Sequence, residues 1–287
     1  MPRMPDPEQR KKAEAFRTMH TRAGTLLLPN VWDVASARLI EEAGFQAIAT
    51  TSAGIAFAQG FPDGQKIPAD RMIASIAHIA ASVRVPVTAD VEAGYGQRPE
   101  DAGRTAHNVI DAGAVGMNFE DATGDPDHPL TELTLQLERI HAIREAAENS
   151  SVPLVLNART DVYLLQIGDP SRRYDAAVGR LAAFRDAGAD CVFVPGVRDA
   201  ETIGRIVVDL KCPVNILAVP GSPPVPELVK LGVKRISLGS GPMRASLGFL
   251  RKLAEELKTS GTYKLMEGAP SHAEMNKLMS SKPEIRN

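Results

Sequence analysis

The chain has 287 residues, of which 44% are hydrophobic and 24% charged, as in an ordinary globular protein with one large core. Its formal net charge of −2 gives no electrostatic reason to expect nucleic acid or a membrane as a partner. No apolar run reaches the roughly 20 residues that span a bilayer, and the polar N-terminus is unlike a signal peptide. With two cysteines, Cys191 and Cys212, and no dense disulfide framework, we expect a reducing cytoplasm.

A repeated pattern of helix end and buried strand runs along the chain. Four phrases place a glycine at the end of a helix before a short apolar run, at residues 42–45, 111–114, 186–189 and 230–233. Three more strands open with a proline, at residues 85–87, 152–154 and 212–214. With a first strand at 26–28 this makes eight strands separated by helices, which predicts an α/β fold of the (β/α)₈ TIM-barrel type. A doubly wound open sheet is the alternative, although no G-x-G-x-x-G turn follows an early strand.

Extra helices flank the predicted barrel. Apolar periodicity predicts an N-terminal helix over about 7–20 and a short C-terminal helix near 271–279. We expect one domain over residues 1–287, with a barrel core at about 24–258 and a helical tail at 259–287.

Charged and polar residues follow several of the predicted strands. Asp90 and Glu92 stand two positions apart after the third strand, and alternation places them on one side. Glu120 follows the fourth strand and Arg159 the fifth, and active sites of such barrels lie at the carboxyl ends of the strands. Two neighbouring carboxylates repel, and oxygen ligands with few protein contacts favour Mg²⁺. The sequence therefore predicts a magnesium site with an arginine beside it.

The motifs at these strand ends resemble those of the isocitrate lyase / phosphoenolpyruvate mutase superfamily over about residues 24–246. The segments that carry the resemblance are LLPNVWD (27–33), ADVEAGYG (89–96), FED (119–121) and NARTD (157–161). The resemblance implies Mg²⁺, with Mn²⁺ as an alternative, and a small 2-oxo or 2-hydroxy acid ligand. It also implies cleavage or formation of a C–C or P–C bond.

Residue roles follow from the same resemblance. Asp90 would be the main metal ligand, with Glu92 and Glu120 acting directly or through water. Arg159 would clamp the ligand, and Asp63 resembles an acid of the mobile loop in the mutase branch. The expected catalytic residues are thus Arg159, Asp63 and Glu120, and the expected substrate-binding residues are Ser52, Ala53, Gly54, Asp90, Arg159 and Asn215. Of these, Ser52, Ala53 and Gly54 would offer backbone N–H groups to a carboxylate or enolate oxygen.

The sequence also departs from the superfamily patterns. The lyase branch has a catalytic cysteine in a Lys-Lys-Cys-Gly-His-type loop, whereas residues 122–129 here read ATGDPDHP. The mutase branch has Glu-Asp-Lys where this chain has Ala122 after Asp121. We therefore expect a Mg²⁺-dependent lyase that cleaves an oxaloacetate-like acid through an enolate. A phosphoenolpyruvate or phosphonopyruvate mutase or hydrolase and a non-catalytic 2-oxo acid binding protein are the alternatives.

The resemblance further implies a homotetramer, or a homodimer, in which C-terminal helices are exchanged between subunits. Leu247, Leu250 and Leu253 would supply an apolar stripe for that contact.

Overall fold

Parallel strands form the inner layer of a nearly closed barrel in the computed structural model, which describes residues 7–280. The strands are β1 (Leu26–Leu28), β2 (Asn30–Val31), β3 (Ile48–Thr50), β4 (Val87–Asp90), β5 (Gly116–Glu120), β6 (Val155–Arg159), β7 (Cys191–Phe193), β8 (Val214–Leu217) and β9 (Arg235–Ser237). Their order in the sheet is β1-β9-β8-β7-β6-β5-β4-β3-β2. The predicted TIM-type barrel is therefore confirmed.

The first strand of the barrel consists of two short segments, of which the sequence predicted only the first, at 26–28. β1 pairs with β9 and β2 pairs with β3, so the two segments together connect the ends of the sheet. Pro29 lies between them and has no N–H group to donate to a neighbouring strand. The eight predicted strands thus become nine segments of one barrel.

Helices surround the barrel in the order that the sequence predicts. They are α1 (Pro7–Thr21), α2 (Val34–Glu42), α3 (Ser52–Ala58), α4 (Ala69–Ser82), α5 (Pro99–Asp111), α6 (Leu133–Ser150), α7 (Arg173–Asp186), α8 (Ala200–Leu210), α9 (Val225–Lys230), α10 (Gly241–Ser260) and α11 (His272–Ser280). α1 and α11 confirm the predicted flanking helices, whereas α3 was not predicted. The outer parts of the predicted domain (1–287) and tail (259–287), residues 1–6 and 281–287, lie outside the described residues.

α1 closes the amino ends of the strands. Its Gln9 side chain donates to the carbonyls of Ile110 and Ala114, just before β5, and Lys12 donates to Val83, before β4. Such contacts leave the carboxyl ends of the strands as the open end of the barrel. The chemistry predicted from the strand ends therefore lies on the side away from α1.

The barrel interior is polar below that open end. Arg235 of β9 is fully buried, and its Nη2 donates to Asn118 Oδ1 of β5 at 3.1 Å. Since β9 and β5 lie four strands apart in the sheet, this guanidinium crosses the interior. Burial lowers the pKa of Arg235 to about 10. Asn157 of β6 donates to the same Asn118 oxygen at 2.8 Å, so these side chains form a hydrogen-bonded floor beneath the strand ends.

Candidate active site

Asp90 ends β4 and uses only one of its two carboxylate oxygens within the protein. Its Oδ2 accepts hydrogen bonds from the Ser52 N–H at 3.0 Å and from Ser52 Oγ at 2.9 Å. Its Oδ1 is buried and has no hydrogen-bond partner. Because buried polar atoms in folded proteins are normally bonded, this oxygen indicates a position for a bound group.

Glu92, two residues after Asp90, also has one carboxylate oxygen with a hydrogen-bond partner and one without. Its Oε2 accepts from the Gln65 N–H at 2.6 Å, and its Oε1 is buried without a partner. The backbone of Glu92 has φ +52°, which is uncommon for a residue other than glycine and typical of functional turns. Burial, together with the charges of Asp63 and Asp90, raises the pKa of Glu92 to about 7. Asp90 thus lies close enough to Glu92 for its charge to affect the ionisation of Glu92.

The turn that carries Glu92 is held from behind by a buried arginine of α6. Arg139 Nη2 donates to the carbonyls of Ala93 and Gly96, the latter at 2.9 Å. Within this turn Gly94 has φ +82°, and a Cβ there would approach the Phe119 ring to 2.8 Å. Only glycine therefore fits this position without a shift of the neighbouring ring.

Arg159, at the end of β6, lies between two carboxylates. Its Nε and Nη2 donate to the two oxygens of Asp161 at 2.5 and 2.8 Å, and its Nη1 lies 2.7 Å from Glu120 Oε2. Glu120 and Arg159 are register partners on β5 and β6, which places both side chains on the same side of the sheet. Although burial opposes it, the charges of Glu120 and Asp161 raise the pKa of Arg159. Each Nη nitrogen carries two N–H groups, so the outer edge of the guanidinium keeps donors for a ligand.

Glu120 is the second acid bound to Arg159. Asp161 makes the two-bond contact, and burial raises the pKa of Glu120 well above its ordinary range against the opposing effect of Arg159. Burial disfavours the charged form of a carboxyl group, so Glu120 is suited to hold a proton in this site.

Asp90 and Glu92 fit a magnesium ion, in that each offers one buried oxygen without a partner. Residues 7–280 contain no group of three His, Cys, Asp or Glu side chains arranged to hold a metal by themselves. Mg²⁺ commonly binds one or two carboxylates and completes its octahedron with water and ligand oxygens, so two acids suffice. Glu120, the third predicted metal ligand, has one oxygen on Arg159 instead.

Ser52, Ala53 and Gly54 form the first turn of α3. Two of the three N–H groups predicted to bind the ligand are already bonded within the protein. The Ser52 N–H donates to Asp90, and the Gly54 N–H donates to Thr51 Oγ1 at 3.3 Å. This part of the site therefore holds Asp90 in place.

Two further predicted residues lie at different depths. Asp63 is exposed in the loop between α3 and α4, where partial burial and, to a lesser extent, the Asp90 charge raise its pKa. Asn215 is fully buried in the barrel, donates from Nδ2 to Ser237 Oγ at 3.1 Å, and has an Oδ1 without a partner. Asp63 thus lies near the acids Asp90 and Glu92, whereas Asn215 lies in the barrel interior.

The loop after β5 is compact. Ala122 and Leu130 form an antiparallel bridge, and the Thr123 N–H donates to the Pro129 carbonyl at 3.1 Å. His128 in this loop is exposed. The loop that holds the cysteine in the lyase branch is here a closed turn of polar residues.

Comparison with known proteins places this site in a family. The family model for phosphoenolpyruvate phosphomutase matches residues 16–258. The chain belongs to the phosphoenolpyruvate phosphomutase family. The resemblance to the isocitrate lyase / phosphoenolpyruvate mutase superfamily is thereby confirmed.

Relatives of this family member differ in the activities for which they are named. An uncharacterized protein of Mycobacterium tuberculosis is 36% identical over 81% of this chain and 84% of its own. The oxaloacetate decarboxylase of Chromohalobacter salexigens is 27% identical over 85% of this chain and 84% of its own. The family is therefore clear, while the substrate has to be argued from the site.

Solved structures agree with this placement. A candidate lyase/mutase of Burkholderia cenocepacia J2315 has a TM-score of 0.91 and 40% identity, covering 96% of this chain and 98% of its own. 2,3-Dimethylmalate lyase has a TM-score of 0.82 and 27% identity, covering 93% and 94%. Oxaloacetate acetylhydrolase in complex with oxalate has a TM-score of 0.82 and 25% identity, covering 93% of each chain.

Proposed function

We propose that this protein is a Mg²⁺-dependent lyase that cleaves a C–C bond of a small 2-oxo or 2-hydroxy acid related to oxaloacetate. The observation that carries the proposal is the presence of two kinds of group at the carboxyl ends of β4 and β6, on either side of β5. Asp90 and Glu92 each offer a buried oxygen without a partner, and Arg159 keeps N–H donors at its outer edge. The names of relatives that act on oxaloacetate or dimethylmalate support the same class of substrate.

Cleavage of such an acid requires a group that binds its carboxylate, formation of an enolate, and a group that protonates this enolate. Arg159 binds a carboxylate of the acid through its remaining N–H groups. In a 2-oxo acid such as oxaloacetate, breaking the C3–C4 bond releases the C4 carboxylate as CO₂. The electron pair of that bond moves through C3 to the C2 oxygen, so that an enolate forms and then takes up a proton at C3. Glu120, buried beside Arg159 with a raised pKa, is the group suited to deliver that proton.

Asp90 and Glu92 are the residues that would hold the ion, and Mn²⁺ could replace Mg²⁺ there. When bound, the ion supplies positive charge that polarises the oxygens of the acid and offsets the charge developing on C2 oxygen. Asp63, exposed in the neighbouring loop, would contribute from the solvent side as a mobile acid.

A substrate panel with and without the ion tests the proposal. Oxaloacetate and substituted malates should be cleaved in the presence of Mg²⁺, with turnover abolished by EDTA and restored by excess Mg²⁺ or Mn²⁺. Phosphoenolpyruvate and phosphonopyruvate belong in the same panel, and turnover of these alone would assign P–C chemistry instead. Tight binding of oxalate with no turnover of any acid would assign the non-catalytic binding function.

A matched pair of variants ties the activity to the site. Arg159→Lys should lose at least tenfold in kcat/KM, because lysine cannot hold Asp161 and a ligand carboxylate together. Arg144→Lys alters the arginine that pairs with Asp190 at 3.0 Å, before β7, and should leave kcat/KM within about twofold. Equal losses in the two variants would contradict the assigned role of Arg159.

We further propose that the protein assembles as a homotetramer or homodimer in which C-terminal helices are exchanged. Of the 20 residues of α10, only Met243 is buried, while Leu247, Phe249, Leu250 and Leu257 are exposed. An exposed apolar face of this size on a long helix is typical of a protein contact.

No helix among the described residues is long and apolar enough to cross a membrane. Both cysteines are free thiols, which suits a reducing cytoplasm.

A further inference from the structure

Asp121, next to Glu120 in sequence, is fully buried and faces away from Arg159 towards the backbone of residues 159–161. Its N–H donates to the Arg159 carbonyl at 3.2 Å. Its Oδ2 accepts from Thr160 Oγ1 at 2.6 Å, and its Oδ1 accepts from the Asp161 N–H at 2.9 Å. Asp121, the residue directly after β5, therefore bonds to three consecutive residues, the last residue of β6 and the two that follow it.

An arginine of α7 completes this contact. Arg180 Nε donates to Asp121 Oδ2 at 2.7 Å, and its Nη2 donates to the Thr131 carbonyl at 2.7 Å. Burial raises the pKa of Asp121, and the Arg180 charge acts against that rise. A buried carboxylate without such a partner would be costly, so Arg180 is what allows Asp121 to stay in this position as an anion.

The segment that Asp121 holds is the one that carries the ligand-binding guanidinium. Asp161, whose N–H is fixed by Asp121, turns its own carboxylate to Arg159 and holds the Nε and Nη2 edge. The direction of the free outer edge of Arg159 thus depends on where the backbone of Asp161 lies. A misplacement of this segment by a fraction of an ångström would misdirect the N–H groups that meet the ligand.

We propose that Asp121, held by Arg180, is a positioning residue that acts through Asp161 to aim Arg159 at the ligand carboxylate. The inference deepens the proposed function and rests on Arg159 being the carboxylate-binding group. It assigns to Asp121 and Arg180 a role in ligand affinity that neither residue could have by direct contact, since both lie behind the strand end.

Asp190 provides a matched control for Asp121, because it also bonds to the backbone of β6. Asp190, just before β7, accepts from the Leu156 N–H at 2.8 Å and pairs with Arg144 at 3.0 Å and Arg17 at 3.2 Å. Like Asp121, it joins a strand backbone to arginines on surrounding helices. It lies near the start of β6, away from Arg159, so its loss should affect stability without affecting the ligand.

The test measures oxalate affinity in the presence of Mg²⁺ by titration calorimetry, and melting temperature in parallel. Asp121→Asn should weaken oxalate binding at least tenfold, whereas Asp190→Asn should stay within twofold of the unmodified protein, although both lower the melting temperature. The Asp121→Asn/Asp161→Asn double variant should bind oxalate within twofold of Asp161→Asn alone. Such non-additivity is expected only if Asp121 acts through Asp161.

Two results would overturn this inference and leave the proposed function standing. One is an unchanged oxalate affinity in Asp121→Asn, and the other is a double variant in which the separate effects of Asp121→Asn and Asp161→Asn on oxalate affinity multiply. Should Asp121→Asn fail to fold, Thr160→Val removes one of the three contacts and should weaken oxalate about threefold; unchanged affinity there also counts against the inference. An unmodified protein that does not bind oxalate with Mg²⁺ would overturn the proposed function and this inference with it.

Discussion

Both hydrogen bonds from Ser52 reach the same oxygen of Asp90, which leaves the other oxygen of that carboxylate buried and without a partner. The first residue of α3 therefore fixes the rotamer of the carboxylate without occupying its second oxygen. A carboxylate held in this way is preorganised for a cation, since little rotamer entropy remains to be lost on binding.

Asp90→Asn should abolish Mg²⁺-dependent binding of oxalate while the protein stays folded. The asparagine amide oxygen can still accept from Ser52, but the second position becomes an NH₂ group that cannot bind a cation. Calorimetric titration of Mg²⁺ and oxalate checks this, with circular dichroism as the measure of folding. Ser52→Ala removes only the hydroxyl bond and should weaken binding less; retention of Mg²⁺-dependent binding in Asp90→Asn would remove Asp90 from the metal site.

Gly54→Ala should destabilise the protein by about 1–3 kcal/mol, the usual cost of overpacking a core position. A Cβ at Gly54 would lie 2.5 Å from Thr51 Cγ2 and 3.0 Å from Trp32 Cβ, so the cap of α3 would have to shift. Gly179→Ala is the matched control, because nothing lies within 4 Å of a Cβ there and alanine favours the helix by about 0.5–1 kcal/mol. Urea unfolding of both variants checks the difference in sign; a Gly54→Ala protein as stable as Gly179→Ala would show that the cap tolerates the methyl group.

The positions of Asp90 and Glu92 at a strand end could be predicted from sequence because the evidence is local. Asp90 and Glu92 stand at a fixed spacing at the end of an apolar strand, which is enough to predict that they lie close together. Glu92 itself lies in the turn after β4, with φ +52°, and not on the strand. The cap of α2 is equally local, since Asp33 Oδ1 accepts from the Ser36 N–H at 2.7 Å, three residues along the chain. Short-range patterns of this kind are enough to predict which residues lie at a strand end or a helix cap.

The contacts behind the site could not be predicted, because their partners come from distant segments. Arg180 bonds to Asp121 across 59 positions, and Arg139 holds the Ala93 carbonyl across 46. Arg139 is one of several charged residues of α6, and nothing in the sequence distinguishes it as the one that is buried. The pairing of Glu120 with Arg159 likewise depends on strand register, which the sequence leaves open.

His20 should make the protein lose stability as pH falls below about 6.5. Burial and the charge of Arg235 lower the pKa of His20 to about 4 in the folded protein, against an ordinary value near 6.5 in the unfolded chain. The unfolded chain therefore binds the extra proton between these values, so the stability present above pH 6.5 is lost as pH falls towards 4. From pH 8 to pH 5 the loss from this group should be about 2 kcal/mol.

His20→Gln removes this titration, so its free energy of unfolding should fall about 2 kcal/mol less than that of the unmodified protein between pH 8 and pH 5. Urea unfolding at both pH values provides the comparison. His141→Gln, on the exposed side of α6, is the control and should follow the unmodified protein. Equal pH dependence in His20→Gln and the unmodified protein would mean that His20 does not resist protonation in the folded state.

Leu250→Glu should shift the protein to a smaller species in light scattering at micromolar concentration. Leu250 is 56% exposed on α10 and lies in the apolar stripe with Leu247 and Leu253, of which Leu253 is half-buried. Burying a leucine side chain in a subunit contact contributes about 1.5–3 kcal/mol, and a buried glutamate there would oppose association.

Val208→Glu is the matched control for this substitution. Val208 is 68% exposed on α8, away from the α10 stripe, so a charge there should leave the assembly unchanged. An unmodified protein that is already monomeric would contradict the proposed exchange of C-terminal helices, since α10 would then keep its apolar side in water. Dissociation of both variants alike would instead move the contact away from α10, because it would show that any added negative charge weakens the assembly.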